Sequence, residues 1–459
     1  MPKEIKLRKG FDIKLLGKAE KNVVTGIHPD TYAFKPTDFL GIARPKVMVN
    51  PGDLVKAGTP IFFDKMNPAV RFTAPVSGEV VEVKRGDKRA PLEIVILADK
   101  EIEYLSFNKY TSSALSSLSA EDAKAQMLES GVWPHIIQRP FGVIANPEQS
   151  PKAIFISTFD THPVAPDYAF ALKGEEQYFQ AGLTILQKFT KGKVHLNLNG
   201  QAEAAPIFNN AQGVEINKFS GKHPAGNVGV QIHHIAPINK GDLVWTVSPT
   251  GVAQIGKLFL EGKYDASKVI ALAGPEVSKP QYYRVISGAN IKKVIENNLK
   301  SPEKDLRFVS GNVLTGERIP ADGYLGFYHQ MITVLKEGKE YDFLGWILPT
   351  SKTSRSLSFH RALGTLSFLM PQKEYALTTN THGEERAFVQ TGVYEEVLPM
   401  DILPVYLLKA IMAQDFDAME QLGIYEIIEE DIALCEFIDV SKINMQQILR
   451  EGIDLILNS

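Results

Sequence analysis

Four side chains close together in the chain have the types needed to hold a flat, neutral ring. The run "ESGVWPHIIQRPFGVIANP", residues 129–147, carries Trp133, His135, Arg139 and Phe141 among its prolines. A planar ring such as a quinone needs aromatic or apolar faces and one or two donors to its carbonyl oxygens, and this run offers both. The same residues also suit an ordered interdomain connection in which Trp133 and Phe141 are simply packed. No catalytic acid, base or nucleophile is singled out. Ser220-Gly221 and Ser287-Gly288 read as turns, because neither lies in a Gly-x-Ser-x-Gly elbow. His223, His233 and His234, with His162 and His195 elsewhere, lack metal-ligand spacing and read as core or solvated histidines.

Two further chemistries can be weighed. A dinucleotide or flavin phosphate needs glycines in a strand-to-helix turn, where backbone amides reach the anion. The first such turn here, "FISTFDTHPVAPDY", has no glycine, and "SGKHPAGNVGVQIHH" has Gly226 and Gly229 at the wrong spacing. Lys65, in "GTPIFFDKMNPAVRFTAPVSG", sits where a biotin or lipoate carrier would bear its modified lysine. Gly58 lies seven positions before Lys65 and Pro75 ten after, so the hairpin is lopsided and an unmodified surface lysine is expected.

The elements that must position these residues form several units. At 459 residues the chain suggests two to four domains, and a net charge of −3 gives no general pull toward nucleic acid or acidic membranes. The only cysteine, Cys435, excludes an intrachain disulfide and a cluster held by this chain's thiolates alone. The charged start reads as no secretory signal, and "ILPVYLLKAIMA" at 402–413 is too short to span a bilayer. A soluble, peripheral chain is expected.

Turn-broken alternation over 1–100 predicts a barrel-sandwich hybrid of the lipoyl-carrier kind. Over 101–275, strand and helix patterns alternate, from "KAIFIST" to "KVIALAG", which predicts a parallel, Rossmann-like α/β domain without a flavin loop. "SAEDAKAQMLESG" reads as a helix with Ser119 as its cap and Gly131 as its stop. Residues 276–335 suggest a β-grasp module of the SLBB kind, 336–390 strands and loops, and 391–459 a helical domain.

From end to end the chain resembles the A subunit of the Na+-translocating NADH:quinone reductase. The resemblance rests on "IKLRKGFDIKLLGKAEKNV", the carrier-like "VNPGDLVKAGTPIFFDK", "GVWPHIIQRPFG", "ISTFDTHPVAPDYAFAL" and "GIYEIIEEDIALCEFIDVSK", in that order. It implies an architecture related to the C subunit of Rnf complexes and the flavin subunit of complex I, with the flavin, NADH and cluster sites lost. "THPVAPDY" and the lone Cys435 stand where those sites would be sought. It further implies a cofactor-free peripheral subunit on the cytoplasmic face. Partner subunits B to F, some membrane-spanning, would carry FMN, FAD and iron centres. The complex would pass electrons from NADH to ubiquinone or menaquinone while exporting sodium, with this chain contributing quinone binding. The alternative is a non-catalytic scaffold, docking soluble domains to membrane subunits through a patch such as 402–413.

Overall fold

The computed structural model describes residues 3–339, 374–381, 384–388 and 392–458. The strand-and-loop region expected over 336–390 lies largely outside them.

A seven-stranded sheet carries the strand–helix alternation. Its order is Lys3–Lys6, Glu215–Ser220, Lys193–Asn199, Ala153–Ser157, Val244–Val247, Ile136–Arg139, Val143–Ile144. The first five strands are parallel and the last two antiparallel. The middle strands are buried on both faces, which is why "AIFIS" and "VWTV" are continuous apolar runs. Helices Glu176–Leu186 and Pro249–Glu261 pack closely on one side. Side chains at Gly182 or Gly256 would strike the backbone carbonyls of Val252 and Tyr178, so both positions need hydrogen in place of Cβ. The helix Val228–Ile235 covers the other side, over Phe155 and Val244.

The N-terminal barrel is a sandwich of two small sheets. One contains Thr31–Phe34, Pro91–Ala98, Gly78–Arg85 and Leu54–Val55; the other contains Pro45–Val47, Pro60–Asp64 and Asn67–Thr73. Phe62 and Phe72 stack between them at 4.4 Å, beside Phe39 and Phe34. Helix Ala120–Ser130 follows, capped as its sequence predicts: the Ser119 side chain accepts from Asp122 N at 3.0 Å, and Gly131 turns left-handed at φ 88°.

A six-stranded sheet runs Glu317–Ile319, Leu306–Ser310, Met331–Lys336, Ser267–Ala273, Gln281–Ile286, Glu20–Val24. Here the structure departs from the strand–helix reading. "KVIALAG" pairs antiparallel with Gln281–Ile286, so the strand at 267–273 belongs to this sheet and not to the parallel one. A buried apolar run reveals that a strand is enclosed, but not which sheet encloses it. The first residues of the chain are likewise shared out, because Lys3–Lys6 joins the parallel sheet and Glu20–Val24 the six-stranded one. Helices Tyr394–Val397, Pro404–Met412, Phe416–Gln421, Glu429–Ile438 and Met445–Asn458 gather around a separate apolar core that includes Leu407, Ile432 and Leu449.

Candidate functional site

Parallel strands end together, and the loops that leave their carboxyl ends leave a crevice between them. In this chain the crevice is a cavity of about 300 Å³ beyond Ser157 and Val247. The loop after Ser157, the starts of two helices at Val228 and Pro249, the strand at 136–139, Tyr328 and Glu430 form its walls.

Of the four residues singled out in the sequence, His135 and Arg139 line this cavity. Trp133 lies behind its wall, fully buried; its Nε1 donates to Ala145 O at 2.8 Å and its indole meets Trp245 edge-on at 5.6 Å. Phe141 turns toward the C-terminal helices, edge-on to Tyr425 at 6.2 Å, and its carbonyl accepts from Arg450 Nη1 at 3.0 Å. His135 stacks on Phe327 at 4.6 Å. Burial, reinforced by the nearby Lys268 charge, pushes its pKa down to about 3, with Gln254 working weakly the other way, so the ring is neutral at neutral pH.

Arg139 has only 2% of its side chain exposed, and Asp431, from the helix Glu429–Ile438, has none. Nη1 of Arg139 donates to Asp431 Oδ2 at 2.7 Å, with a Glu430 carboxylate oxygen 3.7 Å from Nη2. The Asp431 carboxylate also sits against the first turn of the helix Val228–Ile235, where a methyl group on Gly229 would come within 2.4 Å of both its oxygens. The carboxylate thus fills the space beside that helix start, leaving no room there for a side chain at Gly229. Asn227 Nδ2 adds a bond to Glu430 O at 2.9 Å. Burial and the neighbouring Asp431 raise the Glu430 pKa, against Arg139 and His162.

The loop after Ser157 contributes a second charged pair. Asp160 Oδ1 accepts from His162 N at 2.8 Å and stands 2.6 Å from His162 Nδ1. Burial works against charge on His162, but Asp160, with Glu430 and Asp431 nearby, outweighs it and raises the pKa. Asp160 is lowered in turn: burial alone would raise it, and the His162 cation with its hydrogen bonds prevails. His223, whose ring lies 4.6 Å from that of His162, is driven down to about 3 by burial and by the His162 charge. With Nδ1 turned to Asp160, the buried Nε2 of His162 has no hydrogen-bond partner among the described residues. A buried donor left unpaired is costly, and this one belongs to a residue of the cavity wall.

Sequence reasoning passed over His162, Asp160, Glu430 and Asp431. The local signal was the Asp-Thr-His triplet, whose aspartate can fold back on the amide two residues on. Asp431 gave no signal, because its partner lies 292 residues away. Among the described residues no group of three or more histidine, cysteine or acidic side chains is arranged to hold a metal ion. Cys435 is buried, and burial with Glu395 and Asp439 pushes its thiol well above the usual range.

Comparison with known proteins adds three matches along the chain: the NqrA N-terminal barrel-sandwich hybrid domain at 5–99, the NqrA second alpha/beta domain at 118–264, and the NQRA C-terminal domain, an SLBB unit, at 269–320. The A subunit of the Na(+)-translocating NADH-quinone reductase of Yersinia pestis bv. Antiqua is 38% identical over 448 residues, 97% of this chain and 98% of the relative. That of Alcanivorax borkumensis is 38% identical over 98% and 99% of the two chains, and that of Neisseria meningitidis serogroup A 36% over 98% and 99%. A crystal structure of an NAD+-reducing [NiFe]-hydrogenase covers 78% of this chain and 67% of its own at TM-score 0.36 and 11% identity, too remote to bear on either fold or function. No helix among the described residues is long and apolar enough to cross a membrane. With 36–38% identity over nearly the whole length, the chain belongs to the family of Na(+)-translocating NADH-quinone reductase A subunits and is part of an oxidoreductase and sodium-translocating complex.

Proposed function

We propose that this subunit binds the quinone headgroup of the reductase in the cavity at the carboxyl edge of the seven-stranded sheet, and that it carries no redox centre itself. In this reading the α/β domain is a Rossmann-like unit whose flavin position has been filled from within, by the carboxylates of Asp431 and Glu430. FMN, FAD and iron centres then belong to partner subunits among B to F, and the chain sits peripherally on the cytoplasmic face.

The observation that carries the proposal is the unpartnered Nε2 of His162. A quinone carbonyl is a neutral acceptor, and the His162 imidazole, whose pKa Asp160 raises, is when protonated a directed, charge-assisted donor to it. Glu430, its pKa raised by burial and by Asp431, stands in the same wall, while Tyr328, Phe159 and Val228 supply ring-sized apolar surface. Both charged pairs in the wall are internally balanced, which suits a ring without net charge. Of the four sequence candidates, His135 and Arg139 shape the wall directly; Trp133 and Phe141 support it from behind and from the side.

Titration of the purified subunit with a short-chain water-soluble quinone tests this. Charged hydrogen bonds contribute about 1.5–3 kcal/mol, so His162→Ala should weaken binding by at least about tenfold in a protein that still unfolds cooperatively. Saturable binding indifferent to His162→Ala removes the cavity from consideration, and a flavin spectrum in the purified subunit removes the cofactor-free role. Trp133→Ala would empty part of the core, so its effect should appear first in stability.

A scaffold role has its own support. Leu403, just before the helix Pro404–Met412, Met412 at its end and Phe416 at the start of the next helix are large apolar side chains 47%, 63% and 40% exposed. Met412→Glu with Phe416→Glu should release the folded subunit from membranes if those side chains dock it; undiminished retention would discard them.

A further inference from the structure

We propose that the outer face of the three-stranded sheet in the N-terminal barrel lies against an anionic phospholipid surface. This does not depend on what the cavity binds.

Cross-strand register builds the face. Lys46 pairs with Phe63, and Phe63 with Arg71, so the three side chains form one row across the sheet. Lys46 Nζ and the Arg71 guanidinium lie 5.7 and 5.0 Å from the centre of the Phe63 ring, and Arg71 Nη1 stands 3.9 Å from Met48 Sδ. Arg44 and Met48 flank the strand Pro45–Val47, and Lys65 follows Pro60–Asp64 in the turn to Asn67–Thr73. The hairpin tip projects Met66, which is 68% exposed, and Met48 is 47% exposed.

Acidic residues are missing from this surface. Residues 39–50 and 60–73 contain Arg44, Lys46, Lys65 and Arg71, against a single carboxylate, Asp64. Asp64 is buried and turned inward, accepting from Arg44 N and Met66 N. None of the four cations is paired with a carboxylate among the described residues. Four uncompensated cations in two short segments stand out in a chain whose net charge is −3. Long cationic stems over a ring, with unbranched methionines projecting between them, match a headgroup layer: cations meet phosphates while the methionines enter the acyl boundary. An acidic protein partner would meet the same charges, and the vesicle test below separates it from lipid. A sodium-translocating complex necessarily has a bilayer beside it.

The test is co-sedimentation of the full chain with vesicles of equal phosphatidylglycerol and phosphatidylcholine, and with phosphatidylcholine alone. Binding is expected to the first, to weaken with salt, and to drop by roughly fivefold for each neutralised cation. Lys46→Gln with Lys65→Gln should therefore cost about twenty-five-fold, and Met66→Glu should weaken it further. Lys6→Gln with Lys9→Gln, in and just after the edge strand Lys3–Lys6 of the seven-stranded sheet, should change nothing. Failure to bind anionic vesicles, equal binding to neutral ones, or an equal loss in the Lys6/Lys9 control overturns the proposal. So does loss of an acidic partner subunit from the patch variants when the parent ignores lipid. Quinone titration of the same variants keeps the two proposals separable, because they should retain any cavity binding.

Discussion

The carboxyl edge of the seven-stranded sheet and the tip of the carrier-like hairpin are two places where such folds ordinarily house chemistry. They treat charge in opposite ways. At the sheet edge, Arg139, Asp431, Asp160 and His162 are taken out of water, and each is held by a named partner. At the hairpin, Lys65 stays exposed, with no carboxylate paired to it among the described residues. Removing an ion from water costs several kcal/mol, so a buried charge persists only where its geometry is satisfied. An exposed cation is under no such constraint. Three atoms of the buried set, Nε2 of His162, Nε of Arg139 and Oδ1 of Asp431, still lack a hydrogen-bond partner among the described residues, and two of the three belong to cavity-wall residues, while an exposed Lys65 says nothing by itself about modification.

Breaking the buried side should produce the largest change. Asp431→Ala strands the Arg139 guanidinium and should cost about 3–5 kcal/mol in chemical denaturation. Arg139→Met combined with Asp431→Leu should recover most of it; a single mutant as stable as the parent would mean that the pair does not hold the C-terminal helices. Gly229→Ala comes next, at about 1–3 kcal/mol. Alanine is normally favoured in a helix by about 1 kcal/mol, but its methyl would stand 2.4 Å from the Asp431 oxygens. A gain in stability would show that the carboxylate yields easily.

The pH dependence is smaller and has a definite sign. The pKa of His162 is raised above 6.5, so its contribution is complete below that value and lost as pH rises through the folded one. Asp160 is lowered from 3.8, so its share is present above that value and lost as pH falls through its folded one. The pair stabilises most in the interval between. Affinity for a short-chain quinone should fall on the alkaline side, and His162→Gln should flatten that profile; an unchanged profile would separate His162 from the ligand. At the hairpin the expectation is the smallest effect of all. Lys65→Gln should leave the unfolding midpoint where it is, and the intact mass of native protein should be that of the bare sequence.

These contrasts also show what could be read in the sequence. Ser119 and Gly131 marked a helix correctly, because caps act within a few residues. The barrel-sandwich and SLBB units, with an α/β unit between them, were legible from turns, alternation and family resemblance, and all three are matched by family domains. The sheet membership of 267–273 was not, since a buried apolar strand looks the same in either sheet. At the cavity, His135 and Arg139 were picked out by residue type and lie in its wall, whereas Trp133 and Phe141 share their chemistry but face elsewhere. His162 was read as an ordinary histidine. Its character arises from Asp160 on one side and from acidic residues some 270 positions downstream on the other.

The opening two dozen residues have a consequence for synthesis. Among the described residues, Lys3–Lys6 pairs with Glu215–Ser220 alone, and Glu20–Val24 with Gln281–Ile286 alone. Both segments must wait, emerged from the ribosome yet unpaired, until a large part of the polypeptide has been made. Each then closes a different layer as an outermost ribbon. Such long-range closure slows folding and leaves backbone amides open to stray association in the meantime. An appendage fused ahead of Lys3 would burden this late step more than the same appendage after the last helix.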